Sequence, residues 1–192
     1  MTSRGFDFTT AMRRLCVDMT QRLQELAHIE MRRVAVSFAQ ARSGSRHGTY
    51  ASLTPMRFEA GSLYTDRRRR RYTVQRLFDP HGVEMLYILT FYLPRFMDID
   101  LGEKLTTVLH ELWHISPRFD GDIRRHPGRC YAHSRSQKEY DVAMADLARR
   151  WIALSPPEDL FAFLAHDFQQ LRHLHGSVHG TKIRHPKLIP CK

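Results

Sequence analysis

The sequence lacks the features of membrane and secreted proteins. Its longest uncharged apolar run covers residues 85–94, about half of the roughly 20 residues that a membrane-spanning helix needs. The first ten residues contain neither an apolar stretch nor the small-residue cleavage site of a secretory signal. Cysteine is scarce, because Cys16, Cys130 and Cys191 are the only three, and this odd, widely spaced set favours free thiols in a reducing compartment. We therefore expect no membrane contact and a cytoplasmic location.

Lysine is also rare in a chain that is otherwise strongly basic. Only five of the 30 basic residues are lysines, and 20 acidic residues leave a net charge of +10. Such a charge favours polyanions, DNA or RNA among them. The preference for arginine is also what genome base composition produces, so nucleic-acid contact stays an alternative. Repeats of 20 to 50 residues are missing too, which excludes solenoids and propellers.

The length and patterning predict one compact α+β domain. With 192 residues, of which 42% are hydrophobic, the chain is long enough for a single core. We assign residues 1–176 to this domain and residues 177–192 to a basic, histidine-containing tail. Apolar periodicity and turn signals predict a small sheet of three to four strands between helices. The predicted helices are 9–30, 100–115, 136–151 and 155–176, the predicted strands are 34–38 and 53–58, and a hairpin pairs 72–78 with 83–93.

The sequence His110-Glu111-Leu112-Trp113-His114 is an H-E-x-x-H motif inside a predicted helix. Residues four apart lie on one helix face, so both imidazoles can reach one Zn²⁺. Glu111 lies beside them, where a carboxylate can take a proton from water and pass it to a leaving amine. The apolar residues of this helix fall on the opposite arc. A solvated polar helix face is the alternative interpretation.

A zinc site of this kind needs a third protein ligand, and the residues that follow offer several. The candidates are Asp120, His126, Cys130 and His133. Asp120 has the spacing of the extended H-E-x-x-H-x-x-G-x-x-H/D motif, but Pro117 stands where that motif needs glycine. Asp120 also fits a simple turn. We favour His133, which lies three residues before the Ser136 helix cap, and keep Asp120 as the alternative.

Residues 107–125, followed by Gly128-Arg129 and Tyr131-Ala132-His133, resemble a phage and bacterial metallopeptidase family of zincins. The chain is also distantly similar to the minimal zincins of the SprT and Spartan type, which have strands before the H-E-x-x-H helix and a third histidine near a later helix. The resemblance implies a zincin-like fold, His110, His114 and His133 as zinc ligands, and Glu111 as the catalytic base.

Three further assignments complete the sequence-based hypothesis of a zinc-dependent peptidase. The apolar strand 85–93 is a candidate for binding an extended peptide by strand addition, with a buried central strand as the alternative. Tyr131 and Arg135 are candidate oxyanion donors. The run Arg67, Arg68, Arg69, Arg70 and Arg71 is a candidate contact for DNA or RNA, or else a solvated hairpin loop. The competing function is therefore a basic nucleic-acid-binding protein whose metal is structural or absent.

Overall fold

The fold is mixed α+β, as expected. The computed structural model describes residues 5–41, 48–125 and 137–191, with the backbone alone at 137–141. In this part of the chain the four α-helices are α1 (Phe8–Arg22), α2 (Leu101–Trp113), α3 (Gln137–Ala153) and α4 (Phe168–His175). The strands are β1 (Phe6–Asp7), β2 (Val34–Gln40), β3 (Ala51–Pro55), β4 (Tyr64–Arg67), β5 (Arg70–Val74), β6 (Tyr87–Leu93), β7 (Val178–His179) and β8 (Leu188–Pro190). None of the described helices combines the length and apolar character needed to cross a bilayer.

A three-stranded sheet lies at the centre and positions the candidate site. Its order is β2-β6-β3, with β2 parallel and β3 antiparallel to β6. β6 is therefore the central strand, and the continuous apolar sequence of β6 reflects burial on both faces. The prediction that this run binds a peptide by strand addition is wrong, because β2 and β3 already occupy both of its edges. Among the described residues β3 is an edge strand, which accommodates Pro55.

Apolar side chains cover both faces of the central sheet. On one face α1 packs against β2 and β6 in a large core that also includes residues of α2 and α3. On the other face a smaller cluster is covered in part by Ile183. Ile183 is held there because its backbone N–H donates to the buried Ser37 hydroxyl at 2.9 Å. The stretch predicted as a tail thus lies against the sheet, and β7 and β8 pair with β1 and β5.

Two helices are shorter in the structure than their apolar spacing predicted. The first ends at Arg22, and residues 24–26 form a 3₁₀ turn that still buries Leu26. Since a 3₁₀ turn also repeats every three residues, the spacing alone did not show the end of the helix. Residues 155–176 contain two 3₁₀ turns before α4, which begins at a capping box formed by Asp167 and Gln170. Gly176 ends α4 with a φ of 77°, as expected of a terminating glycine.

The predicted hairpin between residues 72–78 and 83–93 forms only next to its turn and is wrong beyond it. The two segments pair through the bridge from Phe78 to Glu84 and the backbone hydrogen bonds beside it. β5 instead pairs with β4 and β8, while β6 enters the central sheet. The arginine run itself forms the hairpin turn, with Arg68 and Arg69 at φ values of 49° and 63°. Such values match the two-residue turns that join antiparallel strands.

Candidate metal centre

Helix α2 is fixed in place at its start and along one face. The Asp100 carboxylate accepts from the Glu103 N–H at 2.8 Å and completes a capping box. Lys104 is buried, and its ammonium donates to the backbone carbonyls of Leu164 and His166 at 2.8 and 2.9 Å. Burial lowers the pKa of Lys104. The apolar face packs into the core as predicted, through Leu105, Val108, Leu109 and Leu112.

The two motif histidines converge at the end of α2. The Nε2 atoms of His110 and His114 lie 3.0 Å apart, and the rings are inclined by 78°. Two imidazoles bound to one tetrahedral Zn²⁺ at 2.0 to 2.1 Å would have their nitrogens about 3.3 Å apart. The observed separation is within a few tenths of an ångström of that value. In the structure the two rings are hydrogen-bonded to each other through these nitrogens, and the same two nitrogens are close enough together to bind one shared metal ion.

Glu111 is buried between α2 and β3, whereas the sequence placed it on an exposed face. Its exposed fraction is 9%. Burial raises the pKa of Glu111 to about 7, and a hydrogen bond from the backbone N–H of Leu53 opposes this shift. Tyr92 donates its N–H to the Tyr50 carbonyl, and Met56 donates to Leu86. The alternation of ladder bonds therefore directs the Leu53 N–H away from β6, to the edge of β3 that pairs with no other described strand.

The chain that leaves α2 turns back along the end of the helix. The Arg124 N–H donates to the His114 carbonyl at 2.7 Å. The Tyr87 hydroxyl donates to the Asp122 carbonyl at 2.8 Å and accepts from the Gly121 N–H at 3.0 Å. Tyr87 is fully buried, and its pKa is raised by that burial. Residues 115–123 are therefore anchored to the central strand of the sheet.

The Asp120 side chain belongs to this turn. Its Oδ1 accepts from the Asp122 N–H at 3.2 Å, and its Cβ lies against Gly61. The buried Asp122 carboxylate accepts from the Ala60 N–H and from the Arg125 guanidinium. Within residues 5–41, 48–125 and 137–191, no group of three or more His, Cys, Asp or Glu side chains is arranged to hold a metal. The structure does not bring Asp120 together with His110 and His114 in such a group.

Several predicted site residues lie outside the described chain. These are His126, Cys130, Tyr131, His133 and Arg135, all in the segment 126–136. The preferred third ligand and both candidate oxyanion donors thus stay predictions from the sequence.

The five arginines form an exposed hairpin tip away from the buried core. Arg67 pairs across the hairpin with Arg70, and Asp66 with Arg71. All five side chains are exposed, including those of Arg68 and Arg69 in the turn. Arg71 binds the Asp66 carboxylate at 3.2 Å and its guanidinium lies 5.9 Å from the Tyr64 ring centre.

Sequence reasoning missed two residues that position the site. The burial of Lys104 could have been predicted, because this residue is four positions before Val108 and so lies on the buried side of the helix. The role of Leu53 could not have been predicted, because Leu53 contributes a backbone N–H at a sheet edge and not its side chain. Comparisons of the chain with models of protein families, with characterised proteins and with solved structures found no match.

Proposed function

We propose that the protein is a zinc-dependent metallopeptidase with a zincin-like arrangement of helix and sheet. The observation that carries this proposal is the convergence of the His110 and His114 nitrogens at 3.0 Å beside a buried glutamate. Two neutral imidazoles one helical turn apart and an adjacent carboxylate are the groups that peptide hydrolysis of this class requires. His133 is the third ligand in this proposal, since the structure does not bring Asp120 together with the two histidines.

A bound zinc ion would polarise the scissile carbonyl and acidify a water molecule. Glu111 accepts the proton of that water through its carboxylate and delivers it to the leaving amine. The Leu53 N–H orients the carboxylate. The burial that raises the pKa of Glu111 also excludes bulk water from the proton transfer.

The outer edge of β3, which pairs with no strand of the described residues, supports an extended peptide as the substrate. β3 offers outward-directed backbone groups on either side of Leu53, and β6 occupies its other edge. A peptide strand added to this edge would pass over the Leu53 N–H and therefore beside Glu111. Backbone pairing of this kind positions the peptide bond without selecting for a particular side chain of the substrate.

The test is hydrolysis of a fluorescently labelled unfolded protein by the full chain in the presence of zinc. Glu111→Gln should keep the zinc and lose at least about 100-fold in rate, since general acid–base catalysis is worth that much or more. Glu158→Gln, an exposed glutamate in a 3₁₀ turn, is the matched control and should retain the rate. Zinc-supplemented wild type without hydrolysis, or an active Glu111→Gln protein, would overturn the proposal.

Nucleic-acid binding is the second candidate function, favoured by the exposed arginine hairpin. Arginines on a protruding turn can follow a phosphate backbone, and Tyr64, half exposed at 50%, offers a stacking surface. In this alternative the affinity for DNA or RNA falls steeply with salt. Replacing Arg68 and Arg69 by glutamine should reduce the slope of log affinity against log salt by about two. No binding at low salt would exclude this function.

A further inference from the structure

An apolar groove runs between α2 and α3. Its volume is about 930 Å³, within the range of pockets that hold sizeable ligands. Leu101 and Leu105 form one wall, Ala145, Ala148 and Ile152 form the other. Glu103 and Arg149 also line the groove, and both are exposed. The groove therefore presents an apolar interior with charged groups near its opening.

The groove and the candidate metal centre lie on neighbouring turns of α2. Thr106 and Thr107 line it and precede His110 by four and three residues. Residues at these spacings are neighbours on one helix face. From Glu111 back to Thr106 the helix rises about 7.5 Å. The histidines thus share one surface of the helix with Thr106 and Thr107, whereas Leu101 and Leu105 line the groove from the apolar side of α2.

The edge strand leads to the same groove. Tyr50, which directly precedes β3, lines it. Leu53 lies three residues further along the strand, a distance of about 10 Å. Because the Leu53 N–H is bonded to Glu111, β3 and α2 meet at Glu111 and both extend from there to the groove. A peptide lying on the edge of β3 would reach the groove within a few residues of the glutamate.

We propose that this groove binds bulky apolar side chains of the peptide substrate. The inference rests on the proposed function and names its substrate class, namely extended segments rich in leucine, phenylalanine or similar residues. Such segments are exposed by unfolded proteins and buried in folded ones. The continuity of the groove with both β3 and the histidine-bearing face of α2 favours a substrate peptide over a second copy of the chain.

The experiment measures binding, so that it does not depend on hydrolysis. Two labelled peptides of equal length and charge, one with a Leu-Phe-Leu segment and one with Ser-Gly-Ser, are titrated onto zinc-supplemented Glu111→Gln protein. Fluorescence anisotropy reports binding, and mass spectrometry checks that the peptides stay intact. The apolar peptide should bind at least about tenfold more tightly, because binding in the groove removes its apolar side chains from water.

Two groove-filling substitutions and one control complete the design. Ala145→Phe on α3 and Thr106→Phe on α2 each place a ring in the groove and should reduce the preference for the apolar peptide to less than threefold. Ala143→Phe adds the same ring at an exposed position of α3 and should keep the preference. Two walls are tested because one variant can fail to fold.

Equal binding of the two peptides, or a preference that both groove variants retain, would overturn the inference. The inference would also be overturned if sedimentation shows that the chain dimerises and the apolar peptide no longer binds to the dimer. That result would assign the groove to a second copy of the chain. A failure of the proposed function has a different signature, namely no hydrolysis by zinc-supplemented wild type.

Discussion

The backbone N–H of Leu53 is hydrogen-bonded to the carboxylate of Glu111. This contact joins the outer strand of the central sheet to the helix that carries the two histidines. It offsets part of the cost of burying a carboxylate, since an unpartnered buried polar group costs about 1 to 3 kcal/mol. It also fixes the distance between the proposed catalytic base and the surface proposed to bind the peptide.

We expect Leu53→Pro to reduce hydrolysis at least about tenfold while the zinc content stays unchanged. Proline removes the N–H that orients Glu111, and it breaks no bond to β6 because that N–H points away from β6. Leu53→Val keeps the N–H and serves as the control. Rates and zinc content are measured on protein whose thermal unfolding is cooperative. Equal rates for the two variants would show that Leu53 does not position Glu111.

Tyr87→Phe should lower the free energy of unfolding by about 1 to 3 kcal/mol. The hydroxyl of this fully buried residue bonds both the Asp122 carbonyl and the Gly121 N–H, and phenylalanine leaves both groups without that partner. Chemical denaturation measures the change, and hydrogen exchange of the Gly121 amide should become faster. Tyr64→Phe, at a half-exposed tyrosine, is the control. Unchanged exchange at Gly121 would contradict the proposed anchoring of residues 115–123.

Glu84 gives the expected dependence of stability on pH. The guanidinium of Arg76 and then that of Arg57 hold the pKa of this carboxyl at about 2, below its usual value of 4.5. Because the folded-state pKa is depressed, the stabilisation is complete above about pH 4.5 and is lost as pH falls towards 2.

Glu84→Gln should therefore lower the free energy of unfolding by about 1 to 2 kcal/mol at pH 7. The loss should shrink as the pH approaches 2, where the wild-type carboxylate is itself protonated. Asp66→Asn breaks an ion pair in which both side chains are more than 60% exposed and should change the stability by less than about 0.5 kcal/mol. Parallel pH curves for wild type and Glu84→Gln would contradict the assignment.

Local signals predicted the helix of the site well and its surroundings poorly. The start of helix α2 was predictable because its cap is formed by two residues only three positions apart, Asp100 and Glu103. The apolar spacing of the helix also predicted its buried face. The burial of Glu111 depends on β3, a strand more than fifty residues earlier, so helical periodicity alone placed this carboxylate in solvent. The same limit explains the wrong hairpin. The turn residues at 79–82 are a local signal that the chain reverses direction. The position of β6 at the centre of the sheet depends instead on distant parts of the chain that cover both of its faces.

The most direct test of this account is the zinc affinity of the full chain, measured by titration against a chelating indicator. Wild type should bind one equivalent, and His110→Ala and His114→Ala should each weaken binding at least about 100-fold, since each removes a ligand. His173→Ala, an exposed histidine of α4, should bind as wild type does. Wild-type protein that binds no zinc, or binding that survives in both His110→Ala and His114→Ala, would contradict the central claim.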